Sequence, residues 1–187
     1  MDHHHSKKTI LSVRELISTD SELITNYWLQ ARPEFLTGMG VDLAKVPTRS
    51  EWEQMLSAQL TQSYKDKKSY CLIWLLNQIP VGHCNINKIL FGKEGYMHIH
   101  MWNHNDRTKN LGTSFIRMCL PYFFTNYSVE KLYCEPYALN QAPNKTLQKL
   151  GFKFVKEYTT TPGWLNFEQS VNLWELSRQQ FLDLDES

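Results

Sequence analysis

Trp102-Asn103-His104-Asn105-Asp106-Arg107-Thr108-Lys109-Asn110-Leu111-Gly112-Thr113 joins two stretches of different periodicity. Ahead of it, Tyr96 to Trp102 reads as a strand. Behind it, Leu111, Phe115, Met118, Cys119 and Tyr122 recur at three and four, the spacing of a helix. A strand that enters a helix through a short polar loop presents that loop with the unpaired N–H groups of the first helical turn and the positive end of the helix dipole. Such a turn attracts an anion, and phosphate is the usual one. Most strand-helix junctions in α/β proteins nevertheless bind nothing, so the loop alone does not settle a function.

Upstream, Ile10 to Leu16 alternates as a first strand, and Thr19-Asp20-Ser21-Glu22 offers a capping-box-like start for a helix towards Ala31. Pro33, Gly38, Gly40 and Pro47 punctuate an irregular stretch. Thr48 to Lys65 then reads as helical, with Trp52, Met55, Leu56 and Leu60 on one face. Tyr70 to Leu76 and Val81 to Ile89 flank Asn77-Gln78, a two-residue hairpin turn. Downstream, Pro121 is expected to kink or end the third helix, because it removes an internal hydrogen bond and clashes one turn back. Lys131 to Glu135 is a short strand, Gln141 to Leu150 a helix stopped by Gly151, Phe152 to Tyr158 a strand, and Gln169 to Leu176 the last strand after Pro162-Gly163. The order β-α-α-β-β-β-α-β-α-β-β predicts an α/β, or mixed α+β, fold built on one mixed sheet with helices on both faces.

Composition narrows the classes. With 20 Lys and Arg against 19 Asp and Glu in 187 residues, the chain lacks the basic excess by which phosphate backbones are bound, so no nucleic-acid partner is expected. A hydrophobic fraction of 42% with 21% charged residues is that of a globular chain, and its length suits one core. Residues 1–9 read as a disordered tail or a tag, with His3, His4 and His5 set aside from site reasoning, and 10–187 as a single domain. No apolar run is long enough to span a membrane and the N-terminus lacks a signal-peptide core, so a cytoplasmic protein without a membrane partner is expected, as a monomer or homodimer. The four cysteines, Cys71, Cys84, Cys119 and Cys134, are isolated singletons and read as buried free thiols. A two-residue turn at Asn77-Gln78 makes pairing positions sum to 155, which sets Cys71 opposite Cys84.

Arg107-Thr108-Lys109-Asn110-Leu111-Gly112 resembles the acyl-CoA pyrophosphate loop of the GNAT acetyltransferase superfamily, whose pattern is Gln/Arg-x-x-Gly-x-Gly/Ala between a strand and a helix. Arg107 and Gly112 match; Asn110 stands where glycine is usual and leaves the backbone less room to approach a phosphate. Asn140-Gln141-Ala142-Pro143-Asn144 through Gly151-Phe152 resembles the family's Asn-x-x-(Ser/Ala) to Gly-Phe signature, with Pro143 in place of the small residue. Together with the element order, the chain from Ile10 to Leu176 is most similar to RimJ/RimL-type N-acetyltransferases. The resemblance implies a sheet splayed between strands 4 and 5, with acetyl-CoA as co-substrate and no metal. It places Met101, Trp102, Asn103, Arg107, Thr108, Lys109, Asn110, Leu111, Gly112, Thr113, Asn140 and Asn144 against the cofactor. The implied reaction moves an acetyl group to a primary amine, either a small molecule or a peptide N-terminus, by direct attack in a ternary complex.

That chemistry needs a proton acceptor, since an alkylammonium titrates near ~10.4. His98 and His100 lie two apart and so share one face of the strand that, by resemblance, borders the thioester, with Trp102 continuing the stripe. Packed, hydrogen-bonded strand histidines are the alternative reading of the pair. The glutamate that RimJ/RimL-type enzymes more often use in this strand is absent; Tyr96 and Met97 occupy the nearest positions. A backbone N–H near Met101 or Trp102 would meet the developing oxyanion. The tyrosine that many family members place four residues before the Gly-Phe pair is Leu147 here, which leaves water or the substrate ammonium as the proton donor to the thiolate. By resemblance, the segment from Trp28 through Arg32, Phe35 and Thr37 to Val41 stands where the family builds its acceptor wall, with Pro162-Gly163-Trp164 closing it from the other side; Trp28, Phe35 and Trp164 read equally well as core. Two other classes fit parts of the pattern: a non-catalytic acyl-CoA-binding module, from Asn110 and Leu147, and a metal protein, from Gly92-x5-His98-x-His100. The second wants a carboxylate where His104 and Asn105 stand.

Overall fold

A computed structural model describes residues 9–103 and 111–185. The chain order is β1 Leu11–Glu15, α1 Ser21–Leu29, α2 Pro33–Gly38, α3 Arg49–Thr61, β2 Ser69–Leu76, β3 Ile79–Leu90, β4 Glu94–Met101, α4 Leu111–Asn126, β5 Lys131–Cys134, α5 Gln141–Lys149, β6 Lys153–Thr160, β7 Gln169–Ser177 and α6 Arg178–Asp185. The strands form one sheet in the order β1-β2-β3-β4-β5-β7-β6, antiparallel throughout except for the parallel β4/β5 pair. This is the mixed, mostly antiparallel sheet anticipated from the element order. The His3 to His5 tail lies outside the described residues. Among the described residues no helix is long and apolar enough to cross a membrane.

Side-chain alternation divides the sheet into two packed faces. Tyr70, Leu72 and Trp74 of β2, Cys84 and Ile86 of β3 and Met97 of β4 meet Phe115, Cys119 and Phe123 of α4 in the larger cluster. Cys71 and Ile73 turn the other way, under Trp28 of α1, Leu36 of α2 and Trp52 and Leu56 of α3. The α3 face is held by its start: Thr48 accepts the Glu51 N–H while the Glu51 carboxylate accepts the Thr48 N–H at 2.8 Å, a reciprocal cap. Asp20, read as part of a similar cap for α1, does different work. Its buried carboxylate binds Arg14 at 2.5 and 2.8 Å and the Ile17 N–H at 2.9 Å, which anchors α1 to β1.

Two expectations are corrected and a third, that Pro121 kinks or ends its helix, is narrowed. The stretch read as irregular after Ala31 contains α2, in which Pro33 takes the first-turn position and Gly38 the last; both punctuate a short helix rather than a loop. Pro121 does not end α4, which continues to Asn126. Its side faces solvent, as does Arg117 one turn back, so water can meet the carbonyl that proline leaves unpaired, while Phe123 and Phe124 are fully buried and hold the helix on the sheet. Cys71 pairs with Asn85, not Cys84. The turn register of 155 lasts only through Leu76↔Ile79 and Leu75↔Pro80, and a bulge then shifts it by one, to Trp74↔Gly82 and Leu72↔Cys84. That shift puts Cys71 and Cys84 on opposite faces of the sheet, and all four cysteines are free and buried.

Candidate active site

The sheet comes apart at β4/β5. The parallel register runs only from Glu94↔Lys131 to Tyr96↔Tyr133, and β5 ends at Cys134 while β4 continues to Met101. Alternation shows which backbone groups look into the gap. The Trp102 N–H donates to the Val81 carbonyl of β3 at 2.9 Å, which turns even positions of β4 towards β3. The Cys134 thiol donates to the Met97 carbonyl at 3.0 Å, which turns odd positions towards β5. The Ile99 peptide therefore faces the gap, with Met101 on the same side. The Trp102 amide, one of the two donors anticipated near the oxyanion, is committed to β3.

A cavity of about 740 Å³ fills this gap and continues over the sheet face bordered by α1 and α3. The bulge in β3 decides its floor, because it puts His83, Asn85 and Asn87 on the same face as His98 and His100. His83 lies opposite His100 and Asn85 opposite His98. The His83 and His100 rings stack at 4.6 Å. The Trp102 indole N–H donates to His83 Nδ1 at 2.7 Å, which fixes His83 as the neutral Nε2–H tautomer. Tyr27 Oη lies 3.2 Å from His100 Nδ1. His98 Nε2 lies 3.0 Å from Asn87 Oδ1, a carbonyl oxygen that only accepts, so Nε2 donates and the Nδ1 lone pair remains.

Burial sets the protonation of this group. His83 is pushed down to about 3, first by burial and then by the neighbouring His98. The His98 ring borders the cavity but lies deep in the fold; burial, followed by the charge of Lys88, brings it down to about 4. Both imidazoles are neutral at physiological pH. Glu135, just past β5, is a buried carboxylate that accepts the Tyr158 hydroxyl and lies 3.6 Å from Lys88 Nζ. Two thiols also border the cavity. Burial pushes Cys134 up to about 12 and raises Cys71 further, so neither is a thiolate.

The anticipated residues fall as follows. His98, His100 and Asn140 border the cavity. Asn140 is the residue before α5. Asn144 is tied to protein on all sides: its amide donates to the Asn140 and Tyr137 carbonyls at 2.8 and 3.3 Å, and its oxygen accepts from Asn172 and Trp174 at 2.9 and 2.8 Å. It thereby clamps the turn before α5 onto β7. Asn103 is exposed. Arg107, Thr108, Lys109 and Asn110 lie outside the described residues, as do His104 and Asn105. Leu111, Gly112 and Thr113 open α4, and a Cβ built on Gly112 would meet nothing within 4 Å, so its backbone is open to a close approach. Leu147 is fully buried in the core. Of the anticipated acceptor wall, Trp28, Val41, Pro162, Gly163 and Trp164 border the cavity, whereas Arg32, Phe35 and Thr37 do not.

His83, Asn85, Asn87, Glu135 and Tyr137 also border the cavity, and sequence reading passed over them. A signal existed for the first three: polar residues at every second position of an otherwise apolar strand mark one face. Among the described residues no three His, Cys, Asp or Glu side chains gather as a metal ligand set. The backbone gap along β4 and the cavity that fills it fit an acyl-pantetheine arm, and the open first turn of α4 suits a phosphate.

A family model described as an acetyltransferase (GNAT) domain matches residues 11–153. No curated protein matches the sequence. Among solved structures, the spermidine N-acetyltransferase of Vibrio cholerae in complex with CoA and spermine superposes with a TM-score of 0.75 at 16% identity, over 92% of this chain and 98% of that one. RimL, the ribosomal L7/L12 α-N-protein acetyltransferase, in complex with coenzyme A, gives 0.73 at 12% identity over 91% and 95%. The aminoglycoside acetyltransferase AAC(6')-Ib in complex with coenzyme A gives 0.70 at 16% over 93% and 98%. At such identities these likenesses speak for the fold. The family match spans most of the chain, and the chain accordingly belongs to the GNAT acetyltransferases, enzymes that draw an acetyl group from acetyl-CoA and transfer it to an amine.

Proposed function

We propose that the protein acetylates a small primary amine by direct attack within a ternary complex, with His98 receiving the proton of the attacking nitrogen. The observation that carries this reading is the placement of a neutral His98, with Nδ1 available as an acceptor, at the cavity beside the β4/β5 gap. An imidazole with a pKa of about 4 is too weak to strip a free alkylammonium. It is strong enough for a nitrogen already bonding to a carbonyl carbon, whose proton is far more acidic. Asn87 fixes the ring, and the stacked His83 and His100 rings, held by Trp102 and Tyr27, wall the same space. Direct attack is favoured over an acyl-enzyme because Cys71 and Cys134 are held as thiols. In this reading the Ile99 peptide, on the gap side of β4, meets the carbonyl oxygen. Tyr137 is the one tyrosine among the described residues that borders the cavity, and in this reading it gives its proton to the departing thiolate. Asn140, Arg107, Gly112 and their neighbours at the α4 start serve the cofactor in this reading.

Steady-state kinetics of His98→Gln test the assignment. kcat/KM should fall by roughly 10²-fold or more, the usual contribution of a positioned base, with acetyl-CoA affinity unchanged in titration calorimetry. Below its pKa the imidazole is protonated and accepts nothing, so the wild-type profile should also lose activity as pH falls through about 4, and the variant should lack that limb. Unchanged kcat/KM in His98→Gln with loss in His100→Gln would exchange the two roles.

A further inference from the structure

The cavity has to hold two reactants, and its walls differ in character. From the histidines outwards one wall is a run of aromatic rings. Trp28 meets the His100 ring edge-on at 5.1 Å, stacks on Trp52 at 5.5 Å and 14°, and Trp52 meets Trp164 at 6.0 Å. Trp28 and Trp52 are buried, while Trp164 is 53% exposed and stands at the mouth. A large exposed indole beside an aromatic cleft invites a flat apolar ligand to complete the stack.

Charge points the same way. Among the described residues bordering the cavity Glu135 is the one carboxylate, against Lys68 and Lys88. Glu135 is already engaged by Tyr158 and lies beside Lys88. Each ammonium brought into such a space without a counter-charge bears a desolvation cost that nothing there returns. The reacting nitrogen adds no such cost, because it must enter as the free amine, His98 being too weak a base to strip an alkylammonium. A second or third would remain charged and uncompensated, and Trp28 and Trp52 have each given one ring face to the other rather than to a cation. Volume adds a third limit. About 740 Å³ must contain the acyl end of the cofactor as well, which leaves space for a small molecule rather than for several residues of a peptide.

We infer that the acceptor is a small monoamine with a flat aromatic body, bound with its ring against Trp164 and Trp52 and its nitrogen towards His98, and that polycationic amines are poor acceptors. This rests on the acetyltransferase reading above and narrows its substrate class.

The test uses the full chain, with tryptamine and 2-phenylethylamine as aromatic monoamines, spermidine and kanamycin as polycations, and a hexapeptide with a free N-terminus. Titration of CoA alone checks the cofactor reading and is independent of the acceptor. Titration of each amine into CoA-saturated protein, with kcat/KM wherever turnover occurs, checks the inference. Tryptamine should bind at least about tenfold more tightly than spermidine or kanamycin, and Trp164→Ala should weaken tryptamine about tenfold, with recovery in Trp164→Phe. Trp164 is half exposed, so its removal leaves the core intact. Spermidine, kanamycin or the hexapeptide binding as well as tryptamine overturns the inference, as does a Trp164→Ala variant that binds tryptamine unchanged. Failure of CoA itself to bind overturns the cofactor reading instead.

Discussion

His83 shows how one side chain ties stability to the site. Its Nδ1 accepts the Trp102 indole N–H, a bond that a protonated ring cannot accept, and burial holds its pKa near 3. An unfolded histidine titrates at about 6.5. Between that value and about 4 for His98 or about 3 for His83, the unfolded chain binds protons that the fold refuses. Stability is therefore complete above pH 6.5 and declines as pH falls. Urea midpoints should drop between pH 7 and pH 5, with up to about 2 kcal/mol arising from each histidine. His83→Gln should lose about half of that drop. An equal drop in the variant would show that His83 is already titrating normally in the fold. The residues that carry this effect were only partly legible. His98 and His100 announce themselves by their two-residue spacing, but Trp102 meets His83 across 19 positions and Tyr27 meets His100 across 73, and no local pattern encodes such meetings.

At the level of elements, the β2/β3 hairpin decides the most. Asn77 and Gln78 both have positive φ, 50° and 68°, as the tight two-residue turn requires. The bulge three residues later is the feature that counting from the turn missed. Its signals were Pro80, which has no N–H to give a ladder, and Gly82, both inside a strand pattern. Gly82 has a packing reason: a Cβ there would come within 2.5 Å of the His100 carbonyl oxygen and 2.9 Å of the Trp74 ring. Gly82→Ala must push β4 away from β3 at the point where His83 and His100 stack. It should cost about 1–3 kcal/mol in chemical denaturation, the range of a core overpacking change. A loss under about 0.5 kcal/mol would show that the two strands can separate there freely. By contrast, Thr48, Glu51, Pro33 and Gly151 set helix ends through bonds and dihedrals within a few residues of themselves, which is why such ends are written locally.

For the whole molecule, the gap between β4 and β5 is a cost that a bound partner can offset. β4 leaves part of its backbone without a strand neighbour so that another amide-bearing chain can lie there. A ligand that occupies the gap only in the folded state raises stability by mass action, by about 2.7 kcal/mol at a hundredfold excess over Kd. For a domain of this length that corresponds to a rise in Tm of roughly 5–10 °C with acetyl-CoA. Spermidine at the same molar concentration, without CoA, should give no comparable rise, because its Kd for the fold is expected to be far larger. A Tm that does not move with saturating acetyl-CoA would mean that the gap is not where the cofactor lies.

The sequence by itself determined the seven strands and most of the helices in their order, the hairpin turn, the capping of α3 and the shared face of His98 and His100. Each of these depends on propensities and spacings that act over a few residues. The tertiary structure alone decided the register beyond the bulge, the passage of α4 through Pro121, the docking of α2 and α6, and the company in which His98 and His100 stand. Asn87, His83, Tyr27, Glu135 and the tryptophan wall come from separate elements, and they meet only because burying both faces of one twisted sheet leaves the chain no other arrangement of its apolar surface.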